Sequence, residues 1–67
     1  MKYDAWTYFV GSEEEAKEFV NEWNEITKSD SFRVGFRKGG ASLIEGEVSS
    51  EILETTNIEN EFVIEEK

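Results

Sequence analysis

Residues 2 to 10 read Lys2-Tyr3-Asp4-Ala5-Trp6-Thr7-Tyr8-Phe9-Val10, a β-rich run in which both alternating sides are largely apolar. Tyr3, Ala5, Thr7 and Phe9 fall on one side, and Trp6, Tyr8 and Val10 on the other. Two apolar sides predict a central strand. Gly11 and Ser12 end it, and Ser12 followed three residues later by Glu15 forms a capping box that starts a helix. Glu13 and Glu14 suit the positive end of that helix.

Beyond the cap, Ala16, Phe19, Val20, Trp23 and Ile26 recur at spacings of three and four, which predicts one packed helical face. Glu14, Glu18, Asn21, Glu22 and Glu25 fall on the opposite side as a carboxylate ridge. The helix is expected to stop near Lys28, because Ser29, Asp30 and Ser31 favour turn chemistry.

A hairpin follows, in which Phe32, Val34 and Phe36 alternate with Arg33, Gly35 and Arg37 before Lys38-Gly39-Gly40 and the run Ala41 to Val48. A two-residue Gly39-Gly40 turn sets Val34 opposite Glu45, which places a carboxylate beside the apolar row. A three-residue loop, Lys38 to Gly40, aligns Phe36 with Ser42, Val34 with Ile44 and Arg33 with Glu45, so apolar meets apolar and opposite charges pair. The second register is therefore expected.

Ser49 or Ser50 can cap a short helix through about Thr56, weakened by two threonines and Asn57. Phe62, Val63 and Ile64, flanked by Glu59, Glu61, Glu65 and Glu66, predict a last strand at a sheet edge, where charges discourage aggregation. The order strand, helix, strand, strand, short helix, strand predicts a small antiparallel-rich α+β sheet of about four strands. This is the split β-α-β plan of ferredoxin-like domains, in truncated form, with one amphipathic helix on one face. No repeat, proline or low-complexity linker marks a boundary, so residues 1–67 are expected to form a single domain.

A chain of 67 residues buries only about 60% of the surface its unfolded form exposes, and the absence of cysteine and histidine removes disulfide and zinc staples. Apolar packing or oligomerisation must hold it. Two Trp, two Tyr and five Phe supply that packing, and Trp6, Trp23, Phe32, Phe36 and Phe62 are expected in the core rather than at a binding site.

Met1-Lys2-Tyr3-Asp4 lacks the basic and apolar regions of a signal peptide, and no apolar run approaches a membrane span, so a cytoplasmic location is expected. The net charge of −9 repels nucleic acid and anionic membrane and favours a basic protein as partner. An acidic surface also serves solubility alone.

Catalysis requires a nucleophile, a tuned acid or base, or a metal site. Without His or Cys only exposed carboxylates, lysines and hydroxyls remain, so no enzyme activity, catalytic residue or cofactor is expected. Glu13, Glu14 and Glu15 splay around a helix start and predict no metal site. Gly35, Gly39 and Gly40 belong to a hairpin and predict no phosphate loop.

Tyr8-Phe9-Val10-Gly11 ahead of a helix resembles the first-strand motif of RNA-recognition domains, and Arg33, Arg37 and Lys38 cluster nearby. The acidic surround and the absence of an aromatic from Ala41 to Val48 argue against RNA binding.

The positive indication of function is the ridge of Glu14, Glu18, Glu22 and Glu25, with Glu61, Glu65 and Glu66 near the carboxyl end. Helical spacing puts the first three about 6 Å apart, comparable with phosphate spacing on nucleic acid. A basic nuclease or other nucleic-acid-handling protein is the expected partner. In size and charge the chain resembles small phage-encoded inhibitors of bacterial defence, such as anti-CRISPR and anti-restriction proteins, which implies inhibition by occupying a basic nucleic-acid site. The alternative is homodimerisation or adaptor binding through a sheet face that one helix leaves uncovered, with Trp6 and Tyr8 at the contact.

Overall fold

The computed structural model describes residues 2–66. Four strands, β1 (Lys2–Val10), β2 (Arg33–Lys38), β3 (Ala41–Ser49) and β4 (Val63–Glu66), form one sheet in the order β2-β3-β1-β4, every neighbouring pair antiparallel. This is the split β-α-β order. β1 is central because both its faces carry apolar side chains, and β4 is a short edge strand.

Helix α1 (Glu13–Thr27) opens with the complete capping box: Glu15 N–H donates to Ser12 Oγ at 3.1 Å, and Ser12 N–H donates to Glu15 Oε1 at 3.0 Å. These contacts, the Ser12 backbone first, hold the Glu15 carboxyl below its ordinary pKa. At the other end Lys28 adopts a left-handed conformation and donates its N–H to the carbonyls of Asn24 and Glu25. Asn24 then ties the helix to the sheet: its Nδ2 donates to the Phe32 carbonyl, and its Oδ1 accepts from the Phe32 N–H.

The buried stripe of α1 is Ala16, Val20, Trp23 and Thr27, with Phe19 partly buried. Ile26, expected in this stripe, is 43% exposed. At 100° per residue it lies about 90° from the stripe's centre, whereas Thr27 falls near the centre and satisfies its hydroxyl on the Trp23 carbonyl at 2.8 Å.

The core joins Ala5, Ile44 and Val48 of the sheet to α1 through Phe32 and Phe62, with Ile58 fully buried beneath. Phe62 is its aromatic hub, 5.2 Å from Trp23, 5.2 Å from Phe32 and 5.9 Å from Phe19 between ring centroids. Expected as part of the last strand, Phe62 instead precedes it, in the exit of a 3₁₀ turn (Ile58–Asn60), where its N–H donates to the Ile58 carbonyl. Helix α2 (Ser50–Thr55) is six residues long and capped by Ser49.

The hairpin combines both registers considered above. Gly39 and Gly40, with φ of 62° and 79°, make a two-residue turn that pairs Lys38 with Ala41 and Arg37 with Ser42. A bulge at Gly35 and Phe36 then restores the pairs Val34–Ile44 and Arg33–Glu45. Phe36 is consequently not opposite Ser42, nor in the core: it lies on the far side of the sheet, 57% exposed.

Candidate functional site

Two surfaces concentrate the residues that could meet a partner, and the sheet separates them. On α1, Glu14, Glu18, Glu22 and Glu25 are all exposed. They fall within an arc of about 80° opposite the buried stripe and extend over about 16 Å of helix. Among the described residues none of the four makes an ion pair; the neighbouring Lys17 is committed to Glu13 at 3.8 Å. The ridge is continuous because the amphipathic repeat that buries Ala16, Val20 and Trp23 places every fourth residue on the solvent side.

The second surface is the sheet face that α1 leaves open. Register fixes its rows. Glu65, Asp4 and Glu47 lie side by side across β4, β1 and β3; next come Val63, Trp6, Glu45 and Arg33 across all four strands. Tyr8 and Leu43 follow, with Phe36 supplied by the bulge, and then Val10, Ala41 and Lys38. Trp6 and Tyr8 meet edge to face at 5.9 Å, and Tyr8 and Phe36 at 6.4 Å. Trp6 is half-buried, while Tyr8 is 53% exposed. Asp4, Trp6, Tyr8, Leu43, Glu45 and Glu65 line an open depression of about 420 Å³.

The structure brings together Trp6 and Tyr8, and separately the four α1 glutamates. Glu65, grouped with the ridge in the sequence, lies instead on the open sheet face beside Asp4, because Ile64 pairs with inward-facing Ala5 and strand alternation turns Glu65 the other way. Glu61 is exposed at the end of the 3₁₀ turn. Phe36, Leu43, Asp4 and Val63 are the members of this face that sequence reading missed.

Of the three clustered cations, Arg33 pairs with Glu45 at 2.9 Å. Arg37 serves the fold, donating to Ser42 Oγ at 2.6 Å and to the Gly11 carbonyl at 2.9 Å. Lys38 alone of the three carries no such bond among the described residues. Among those residues no group of three acidic side chains converges to hold a metal ion, and no helix is long and apolar enough to cross a membrane. No protein-family model, no curated protein and no solved structure matches the chain.

Proposed function

We propose that this chain is a non-catalytic inhibitor that binds a basic protein and occupies its nucleic-acid site, presenting α1 in place of a phosphate backbone. The observation that carries this reading is the row of four exposed α1 carboxylates that have no ion-pair partner among the described residues, on a chain of net charge −9. The axial step from Glu14 to Glu18 to Glu22 is about 6 Å, close to the rise of two nucleotides along one DNA strand, about 6.8 Å. Charge of one sign along a rigid helix gives fast, salt-sensitive association with a surface of opposite sign. The resemblance in size and charge to phage anti-defence proteins points to a nuclease as the class of target.

The test is capture from nuclease-treated lysate on the immobilised protein, followed by elution with double-stranded DNA. Mimicry predicts a basic nucleic-acid-handling protein that DNA displaces and that Glu14→Lys/Glu18→Lys/Glu22→Lys fails to retain. A partner held equally by the triple variant and unaffected by DNA would exclude this function for the ridge.

A further inference from the structure

The open sheet face combines two features that folding alone leaves unexplained. Glu65, Asp4 and Glu47 occupy directly opposed positions on three adjacent strands, an arrangement of like charges that weakens a sheet. Lys2 answers Glu47 at 3.3 Å, but among the described residues Asp4 and Glu65 have no cation. Beside this row stand Trp6, Tyr8 and Phe36, with Val63 46% exposed at the edge. An apolar sheet face is ordinarily covered by another layer.

We infer that this face is a docking site for a basic amphipathic helix of another protein, whose apolar side chains seat on Trp6, Tyr8, Leu43 and Phe36 while its Lys or Arg residues meet Asp4 and Glu65. Size supports a single helix. Three inter-strand spacings make the sheet about 14 Å wide, and a helix with side chains is about 10–12 Å across. On the other side the 15-residue α1 packs along the sheet together with Ile58 and Phe62. Charge selects the occupant. A second copy would bring another −9 to the contact, with Lys38 the single uncommitted cation on this face among the described residues, whereas a basic segment neutralises the carboxylate row. Nucleic acid is repelled by the same row. The aromatic cluster supplies rigid anchors of the kind that dominate binding energy, and the depression beside Trp6 offers a seat for one side chain. Because this surface lies across the sheet from the α1 ridge, the inference is independent of the nucleic-acid-mimic reading.

The probe is a Leu/Lys peptide of about 15 residues, patterned to place its leucines on one helical face, titrated into isotope-labelled protein and followed by NMR. Expected are saturable shifts at the Trp6 indole N–H and at Tyr8, Leu43 and Val63, with the peptide becoming helical. Asp4→Lys/Glu65→Lys, at two exposed positions, and separately Phe36→Ser are each expected to weaken binding at least tenfold while leaving the protein's spectrum folded. A Leu/Glu peptide of the same pattern is expected not to bind. Shifts confined to α1, undiminished binding by both variants, absence of binding, or a dimer of the free protein that covers Trp6 would each overturn the inference.

Discussion

Gly46 sits opposite Ala5 at the centre of the inner sheet face, where two small residues let the aromatic layer approach the backbone. A Cβ at Gly46 would lie 2.6 Å from Phe32 Cδ1 and 3.0 Å from Phe32 Cα, so neither the ring nor the chain that carries it could stay in place. Gly46→Ala is therefore expected to destabilise the fold by about 1–3 kcal/mol, as overpacking does. Urea unfolding checks this: the midpoint should fall with an unchanged slope. The reason for this glycine is not legible in the sequence, because it depends on Phe32, 14 positions earlier, folding back over β3. Asn24 is similar: its two bonds to the Phe32 backbone exist only once α1 and β2 are placed together.

At the scale of elements, local chemistry was most legible where one rule acted alone. Ser12 and Glu15 announced the start of α1, and the depressed carboxyl pKa of Glu15 gives a further expectation. Its proton binds more weakly in the folded state, so the capping stabilisation is fully present above the unfolded carboxylate value and is lost as pH falls through the folded one. The stability difference between the wild type and Glu15→Ala should thus be constant near neutrality and shrink in acid, as thermal melts across that range can determine. The hairpin was half legible because two rules competed. Apolar alternation demanded Val34 opposite Ile44, while the glycine pair demanded a two-residue turn, and the bulge at Gly35 and Phe36 satisfies both. That compromise moves Phe36 from the expected core to the open face. Residues from four strands build this face, and its acidic row draws Asp4, Glu47 and Glu65 from distant parts of the chain, so strand order and register were both needed to find it. The α1 ridge lies within a single element, and helical periodicity alone revealed it.

For the whole molecule, charge and packing act against each other. Among the described residues a core of nine buried apolar side chains must hold a chain of net charge −9 whose carboxylates line the α1 ridge and one row of the open sheet face. Self-repulsion of this kind weakens the compact state, and salt shortens its reach from about 30 Å at 0.01 M to about 3 Å at 1 M. Sodium chloride is accordingly expected to raise the melting temperature by several degrees between those concentrations; a fall would mean that ion pairs such as Lys2–Glu47, Lys17–Glu13 and Arg33–Glu45 outweigh the repulsion. Retention of so much unbalanced charge on a small domain accords with recognition of a basic partner, and the α1 ridge is where that recognition is proposed to occur. The most direct measurement is the affinity for a partner captured from lysate, determined at several salt concentrations for the wild type and for Glu14→Gln/Glu18→Gln/Glu22→Gln. Recognition through the ridge predicts steep weakening with salt and a shallower dependence, at lower affinity, in the variant. Equal affinity and equal salt dependence for the two proteins would contradict it.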